Sequence, residues 1–236
     1  PGYVTKVNKA PKAITFVLDT SGSMAGKKLE QAKKALTFCI SNLNREDYFQ
    51  VVRFSTEAEA LFNSLKRASK KNKDTAEAYI KNLRPIGGTH IEDALTVAMK
   101  HKVHNMTHLV MFITDGKPTI GETDEDRLLR LIKRKNKKNI RIFTLGIGYD
   151  INTHLLDKIT KVTKAYGSYI SPKENLEMKI SSFYTKIASP ILTDISISIN
   201  GISVFKSYPR KLGDLFAGSS ITMLGRYRGF GKATVT

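Results

Sequence analysis

The chain has 236 residues, 41% of them apolar, and its 39 Lys and Arg against 21 Asp and Glu give a formal net charge of +18. A chain of this size can bury a full hydrophobic core, and no stretch approaches the roughly 18 consecutive apolar residues that a transmembrane helix needs. The single cysteine, Cys39, excludes an internal disulfide. The sequence starts at Pro1 without an initiator Met or a signal-peptide core, so we interpret it as an excerpt of a longer protein.

The first half of the sequence alternates apolar strands with amphipathic helices. Apolar runs predict buried strands, and apolar residues spaced three to four apart predict helices with one face toward the core. Cys39 falls on such a face and is expected to be a buried small hydrophobe. In chain order the predicted elements are strand 14–18, helix 27–43, strand 48–54, edge strand 58–62, helix 74–83, helix 91–99 and strand 109–114.

The same alternation continues to residue 188. The predicted elements are helix 124–135, strand 140–145, helix 152–162, strand 168–170 and helix 175–188. Strands that alternate with helices of this length indicate a doubly wound, mostly parallel α/β sheet, sandwiched by helices and joined by right-handed crossovers. Ligands of such sheets bind beyond the carboxyl ends of the strands, near the point where the strand order reverses. We therefore expect the functional site at that edge.

The pattern changes at Pro190. Alternating apolar residues over 195–199 and the pair Asn200-Gly201 predict a hairpin with 202–205, and 219–224 and 233–236 are further strand-like pieces around a Gly-rich segment. We predict two domains, an α/β domain over 1–189 that includes the N-terminal lead-in and an all-β extension over 190–236. The extension is too small to bury a core alone, so we expect it to pack with the N-terminal residues or to belong to a domain that continues beyond this sequence.

Three loops at the predicted carboxyl edge carry oxygen side chains. Asp19-Thr20-Ser21-Gly22-Ser23 follows the first strand, Gly87-Gly88-Thr89 precedes helix 91–99, and Asp115 follows strand 109–114. Carboxylate and hydroxyl oxygens suit a hard cation such as Mg²⁺, which prefers six oxygen ligands. With only two carboxylates the ion is close to neutral and short of ligands, so a partner's Asp or Glu can complete its coordination. The candidate ligands are Asp19, Ser21, Ser23, Thr89 and Asp115.

These segments resemble the von Willebrand factor type A domain and its metal-ion-dependent adhesion site. The motif consists of FVLDTSGSM at 16–24, the Gly87-Gly88-Thr89 loop and ITDG at 113–116. Within that family, 24–27, 114–122 and the tail 215–227 are similar to the heavy chains of inter-alpha-trypsin inhibitor and their bacterial relatives. The resemblance implies a Rossmann-like fold, and it carries over the five candidate residues as ligands of Mg²⁺, with Mn²⁺ or Ca²⁺ as alternatives.

One residue departs from the family pattern. His90 stands where members commonly have Asn, and we expect it to start a helix beside the site, the alternative being that it leans over the metal. Another histidine group, His101, His104 and His108, has the spacing of a zinc site only if one helix continues through it, whereas a helix end and a strand start are predicted there. We therefore do not expect zinc at these histidines.

Three enzymatic interpretations fit the motifs less well. An aspartyl-phosphate enzyme built on Asp19 wants a second carboxylate two residues later, and Ser21 stands there. The dinucleotide fingerprint that Gly146 and Gly148 could begin lacks its third glycine, since position 151 is Ile. A serine hydrolase needs Gly two residues on each side of its nucleophile, and neither Ser21 nor Ser23 has them.

We therefore hypothesise a non-catalytic adhesion or protein-interaction module that binds a partner's Asp or Glu through a divalent cation. The alternative is a basic module for glycosaminoglycan or nucleic acid with a structural metal, based on the runs 66–73 and 133–141. Nucleic acid is disfavoured because the runs lack aromatic residues for base stacking, and we expect solvated helix ends there. The compartment is left open, with a preference for an extracellular or cell-envelope location.

Overall fold

The computed structural model describes residues 11–101, 103–171, 173–188, 190–192, 195–209, 212, 215–216 and 220–236. The chain divides into two compact units, of which the larger spans Lys9–Thr185 and the smaller includes Lys186–Thr236. The division falls close to the predicted domain boundary at 189, which stays a prediction. The expected packing of the N-terminal residues lies outside the described residues.

The larger unit contains one mixed, mostly parallel sheet. Its strands are β1 (Lys12–Asp19), β2 (Tyr48–Phe54), β3 (Ala58–Ala60), β4 (Lys66–Arg67), β5 (Thr107–Thr114), β6 (Arg141–Ile147) and β7 (Gly167–Ile170). They lie in the order β3-β2-β1-β5-β6-β7, with β4 also paired to β2. β1, β2, β5, β6 and β7 run parallel, while β3 and β4 are antiparallel to β2. The doubly wound α/β fold predicted from the sequence is confirmed.

Among the described residues, six α-helices accompany the sheet. They are α1 (Lys27–Ser41), α2 (Lys70–Asn82), α3 (Ile91–Met99), α4 (Glu125–Lys135), α5 (Thr153–Val162) and α6 (Leu176–Ile187). Neighbouring residues of β1 point to opposite faces because side chains alternate along a strand. Val17 joins a buried cluster with residues of α3, α4 and α5, whereas the ring of Phe16 lies 6.0 Å from that of Tyr184 in α6. Both faces of the sheet are thus covered.

The strand order reverses beside β1. The chain passes from β1 to β2 on one side and then places β5 on the other side of β1. Leu18 pairs with Ile113, so Asp19 and Thr114 leave the sheet together at its carboxyl edge. This is the crevice where ligands of such sheets bind, and the first and third candidate loops meet there.

Two details of the larger unit differ from the expectations. Lys66–Arg67 forms the short strand β4, which periodicity missed because two residues carry no pattern. Helix α2 begins at Lys70 rather than near 74, because the hydroxyl of Ser69 accepts a hydrogen bond from the N–H of Asn72 and caps the helix earlier. The basic run 66–73 is therefore part strand and part first helical turn.

The smaller unit contains short antiparallel pairs. Its strands are β8 (Pro190–Leu192), β9 (Ile199–Asn200), β10 (Ser203–Tyr208), β11 (Leu215–Phe216), β12 (Leu224–Arg228) and β13 (Thr234–Val235). β8 pairs with β11, β9 with β13, and β10 with β12. The predicted hairpin across Asn200-Gly201 is wrong, because each flanking strand finds its partner farther along the chain. The Gly-rich segment was expected between strands, yet Gly225 lies inside β12. Ser219, the first residue of the predicted strand 219–224, lies outside the described residues.

Candidate metal centre

The loop after β1 is folded around the carboxylate of Asp19. One carboxylate oxygen accepts a hydrogen bond from the N–H of Ser21 at 2.8 Å, and the other accepts one from the hydroxyl of Thr114 at 2.6 Å. The chain then enters a short 3-10 helix, Gly22–Met24, which places the hydroxyls of Ser21 and Ser23 3.1 Å apart. The Asp-x-Ser-x-Ser spacing therefore brings its three oxygen side chains to one place.

Asp19 is fully buried, and its surroundings are unfavourable to its charge. Burial raises the pKa of Asp19 from its ordinary value of 3.8 to about 6, with a smaller contribution in the same direction from Asp115. The hydrogen bonds from Ser21 and Thr114 oppose this rise in the pKa without cancelling it. A carboxylate in this position gains from a nearby cation, since an opposite charge within about 4–6 Å favours the ionised form.

Asp115 brings the second carboxylate to the same place. Its Oδ1 accepts a hydrogen bond from the hydroxyl of Ser23 at 2.7 Å, and its Oδ2 contacts the ammonium of Lys28 in the first turn of α1. The side chain of Asp115 is 1% exposed and that of Lys28 is 36% exposed. The two carboxylates are thus linked through the N–H of Ser21 and the hydroxyls of Ser21 and Ser23. Lys28 supplies a positive charge that the sequence motif does not include.

Thr89 reaches the cluster from the second loop. A Cβ atom added to Gly116 would lie 3.3 Å from the Thr89 hydroxyl and 3.9 Å from the Ser23 hydroxyl, so both groups border the residue after Asp115. The loop is joined to the first one by a 3.0 Å hydrogen bond from the N–H of Gly22 to the carbonyl of Gly87. Gly87 has φ +73°, a left-handed conformation that favours glycine.

The loop 116–122, which follows Asp115, also holds Thr89 in place. The hydroxyl of Thr119 accepts a 2.8 Å hydrogen bond from the N–H of Thr89, and the N–H of Thr119 donates to the carbonyl of Thr89 at 2.9 Å. Gly88 lies so close to this loop that an added Cβ would be 2.7 Å from Ile120 Cδ1. The Gly88 backbone therefore packs closely against the loop 116–122.

The side chain of His90 contacts two neighbouring loops, which argues against the interpretation in which it leans over the metal. Its Nδ1 lies 3.1 Å from the carbonyl of Thr56, and the ring packs against Gly121. His90 is the N-cap residue of α3, but its side chain does not bond the helix N–H groups. It begins the helix, as expected, and holds the loops 55–57 and 119–121 beside it.

The second histidine group does not form a centre. His108 lies in β5 with its Nε2 2.9 Å from the Thr15 hydroxyl, His101 follows α3, and His104 is exposed in a turn. Within the described part of the chain, no three His, Cys, Asp or Glu side chains are grouped so that they could hold an ion. The candidate centre differs in kind, since its donors are two carboxylates and three hydroxyls.

The chemistry of this donor set fits a hard divalent cation. All five predicted ligands offer oxygen, both carboxylates are buried, and the structure already places one cation, the Lys28 ammonium, against Asp115. Ser23 is exposed, which leaves a route from solvent to the hydroxyls. Asp19, Ser21, Ser23, Thr89 and Asp115 would hold the metal, which would act as a Lewis acid for a further oxygen ligand. Their role as ligands stays a prediction.

A doubly wound sheet with this oxygen-lined crevice at its switch point defines the class of protein. The sequence matches the von Willebrand factor type A domain over residues 12–168, and the chain belongs to that family. Among curated proteins it is similar to inter-alpha-trypsin inhibitor heavy chain H2 of Mesocricetus auratus, with 29% identity over 92% of this chain and 24% of that protein. The chain spans about a quarter of the length of the curated relatives it matches.

Solved structures show the same fold. The chain superposes on a von Willebrand factor type A protein from Catenulispora acidiphila with a TM-score of 0.72 and 20% identity, covering 96% of this chain and 57% of that one. It also superposes on proximal thread matrix protein 1 from the mussel byssus, with a TM-score of 0.60, 23% identity, and coverage of 78% and 46%. That structure is described as having a zinc-occupied MIDAS motif. The predicted family and fold are confirmed.

Sequence reasoning missed three residues that shape the centre. Thr114 donates to Asp19, Thr119 fixes Thr89, and Lys28 pairs with Asp115. Thr114 and Thr119 lie within the segment 114–122 that resembles the family, but its letters do not say which atoms they reach. Lys28 stands among several lysines, and only the folded chain distinguishes it from its neighbours.

Proposed function

We propose that this domain is a non-catalytic protein-interaction or adhesion module that binds an acidic side chain of a partner through a divalent cation. The observation that carries the proposal is the connected cluster at the switch point, in which Asp19, Ser21, Ser23 and Asp115 are joined and the Thr89 hydroxyl borders Gly116, the residue after Asp115. Mg²⁺ is the proposed ion, with Mn²⁺ or Ca²⁺ as alternatives. The partner is a protein that presents Asp or Glu to the metal.

The balance of charge supports this mode of binding. Two carboxylates neutralise a divalent ion. The hydroxyl ligands are uncharged and add no negative charge, so the ion can still attract an incoming anion. A cage of four carboxylates would instead repel a partner's Asp or Glu. The overall charge of +18 would speed the encounter with an acidic partner and make its on-rate fall as salt rises.

The same geometry favours binding over catalysis. Asp19 is fully buried, so a small metal ion can reach its carboxylate more easily than the phosphorus atom of a bulky substrate can. The general acid or base that aspartyl-phosphate chemistry needs two residues later is replaced by Ser21. Incubation with a phosphate ester and Mg²⁺ is expected to give no turnover above that of an Asp19→Asn variant.

The proposed setting is extracellular or at the cell envelope. For Ca²⁺, one of the alternative ions, the low ligand charge of a site with two carboxylates accompanies weaker affinity, which suits Ca²⁺-rich compartments outside the cell. No helix in the described part of the chain is long and apolar enough to cross a membrane.

The proposal is tested by titration with Mg²⁺ and Mn²⁺ in a calorimeter, followed by a binding screen. Asp19→Ala and Thr89→Ala are expected to lower the cation affinity at least tenfold, which is about 1.4 kcal/mol, whereas Thr75→Ala, an exposed helical threonine, leaves it unchanged. Thr89→Ala keeps the test valid if loss of the buried Asp19 unfolds the protein.

The screen uses peptides that carry one Asp or Glu, each with an Asn or Gln twin, on a sensor surface. Binding is expected only for the acidic member of a pair, and only with Mg²⁺ present. Absence of any divalent-cation binding, or peptide binding indifferent to EDTA and to Thr89→Ala, rejects the proposal.

A second candidate function, binding of a sulfated polysaccharide, is favoured by the basic edge of the sheet. We use this name for the side chains at the ends of α3, α4 and α5, opposite the candidate centre. They are Lys100, His101, Lys133, Arg134, Lys135, Lys137, Lys138, Arg141, Lys161 and Lys164. The described residues of 96–104, 133–141 and 161–166 contain no Asp or Glu. Lys100 and Lys138 help to lower the pKa of His101, after burial, so these charges act on one another.

The basic edge has a competing structural role. Lys138 donates to the carbonyl of Lys100 at 2.6 Å and Arg141 donates to that of Asn139 at 2.9 Å, which are contacts of cations with helix-end and turn carbonyls. Tyr166 is half-buried and packs its ring against those of Phe143 and Phe183, a packing that competes with stacking on a base and disfavours nucleic acid.

A heparin fragment is the probe for this second function. Charge reversal at Lys133 and Lys137 is compared with reversal at Lys27 and Lys34, which are exposed on α1 and give the same change in net charge. Polysaccharide binding predicts a steep salt dependence that survives EDTA and is lost only in the first variant. Equal effects of both variants would mean general attraction to a basic protein and no such function.

A further inference from the structure

The ion pair between Lys28 and Asp115 is a contact of the candidate centre that the five-ligand motif does not explain. Lys28 is the second residue of α1, and its ammonium contacts a residue 87 positions away in sequence. A cation in the first helical turn is unfavourable to the helix, because the N-terminal end of the helix dipole is positive. The position of Lys28 is therefore explained by the carboxylate that it meets rather than by the helix that carries it.

Asp115 depends on this contact for its charge balance. Its side chain is 1% exposed, and its two oxygens are used by the Ser23 hydroxyl and by the Lys28 ammonium. Of the two donors only Lys28 carries a charge, and a buried carboxylate without a cation is costly. Lys28 is the counter-ion of Asp115 in the folded chain.

The Lys28 side chain is also able to leave. It is 36% exposed, its stem is flexible, and a lysine ammonium is readily hydrated, so release to solvent costs little. A divalent cation bound to Asp115 would repel an ammonium at contact distance from the same carboxylate. The two cations therefore compete for one buried anion.

We propose that Lys28 is a built-in competitor of the divalent cation, which holds Asp115 when no metal is bound and is displaced when one binds. The inference rests on the proposed function, because it concerns the same five ligands. In this proposal Lys28 lowers the affinity of the site for divalent cations, so that the site fills only where these ions are abundant. It also stabilises the centre of the metal-free protein, since the Lys28 ammonium neutralises Asp115 when no divalent cation is bound.

The test compares Lys28→Gln with wild-type protein and with Lys27→Gln. Lys27 is adjacent in α1 and exposed, and the ion pairs found among the described residues do not include it, so it matches the change in net charge without touching Asp115. Affinities for Mg²⁺ and Mn²⁺ are measured by calorimetry, and thermal unfolding is recorded in EDTA and in saturating Mg²⁺.

Lys28→Gln is expected to bind both cations about tenfold more tightly, a gain of about 1.4 kcal/mol, while Lys27→Gln stays within twofold of wild type. In EDTA, Lys28→Gln is expected to unfold at a lower temperature than Lys27→Gln, and saturating Mg²⁺ is expected to remove that difference. Lys28→Arg, which keeps the charge, should retain low cation affinity.

Two results would overturn the inference. Weaker cation binding by Lys28→Gln would make Lys28 a residue that positions Asp115 for the metal, and unchanged binding would make the contact irrelevant to the centre. In both cases wild-type protein still binds Mg²⁺ and the proposed function stands. If neither wild type nor Lys28→Gln binds any divalent cation, the proposed function fails and the competition fails with it.

Discussion

Thr89 and Thr119 exchange hydrogen bonds across two loops. The N–H of Thr89 donates to the Thr119 hydroxyl at 2.8 Å, and the N–H of Thr119 donates to the Thr89 carbonyl at 2.9 Å. This reciprocal pair orients the backbone of a candidate ligand without using its side chain. The Thr89 hydroxyl takes no part in this pair, and it borders Gly116.

Removal of the Thr119 hydroxyl is predicted to weaken the centre indirectly. Thr119→Val keeps the shape of the side chain but leaves the N–H of Thr89 without its acceptor, which costs about 1–3 kcal/mol when the group is buried. We expect a several-fold loss of Mg²⁺ affinity in calorimetry and a small loss of stability. Thr119→Ser retains the acceptor and should behave like wild type; equal losses in both variants would argue against this role.

Gly88 is predicted to be intolerant of a side chain because of packing. A Cβ atom there would lie 2.7 Å from Ile120 Cδ1 and 2.9 Å from the Thr119 hydroxyl. Gly88→Ala should therefore destabilise the protein by about 1–3 kcal/mol in urea unfolding, the usual range for overpacking. Shortening the neighbour in Gly88→Ala/Ile120→Val should recover part of the loss. A double variant no more stable than the single one would contradict the clash.

Adjacent residues Asp47 and Glu46 are predicted to differ widely in their importance. Asp47 is buried with Lys12, accepting from its ammonium at 2.7 Å and from its N–H at 3.1 Å, and it also accepts from the N–H of Asn44. Asp47→Ala should cost about 3–5 kcal/mol, because Lys12 is left as a buried, unpaired charge. Glu46→Ala removes an exposed pair with Arg67 and should cost about 0–1 kcal/mol. Urea unfolding measures both, and similar losses would refute the distinction.

Glu125 is predicted to make stability depend on pH in the acidic range. It accepts hydrogen bonds from Asn152, His154 and Lys158 of the neighbouring loop and helix, and the pKa of Glu125 is lowered first by Asn152. A lowered pKa in the folded protein adds stability above the unfolded pKa, and this is lost as pH falls through the folded pKa.

Glu125→Gln should therefore be less stable than wild type at pH 7. The difference should disappear in strong acid. Thermal unfolding from pH 7 to pH 3 measures it, with the exposed Glu177→Gln of α6 as control. A difference that persists unchanged at pH 3 would show that the contact is not electrostatic.

Cys39 is predicted to be inert in the folded protein. It is fully buried on α1, and burial raises the pKa of its thiol well above the ordinary value, so little thiolate forms at neutral pH. Reaction with an aromatic disulfide reagent should be slow in buffer and fast in urea, with a midpoint equal to that of unfolding. Fast labelling of the native protein would contradict the buried assignment.

Periodicity and residue type were sufficient for the fold of the larger unit. Apolar runs such as 109–113 mark strands buried on both faces, and the spacing of apolar residues in 27–43 marks a helix, because both patterns record how side chains meet a core. Short or locally decided features were missed. Lys66–Arg67 is too short for a pattern, and the predicted hairpin at Asn200-Gly201 failed because partners distant in sequence pair more favourably.

The sequence by itself determined the class of fold, the family and the set of oxygen-bearing residues at the switch point, since these follow from short motifs and from local pattern. Only the tertiary structure decided which groups stand beside them. Lys28 reaches Asp115 and Thr119 reaches Thr89 because strands and loops far apart in sequence end at one edge of the sheet. Charge balance and hydrogen bonding at the centre depend on distances between such residues, and no spacing along the chain encodes those distances.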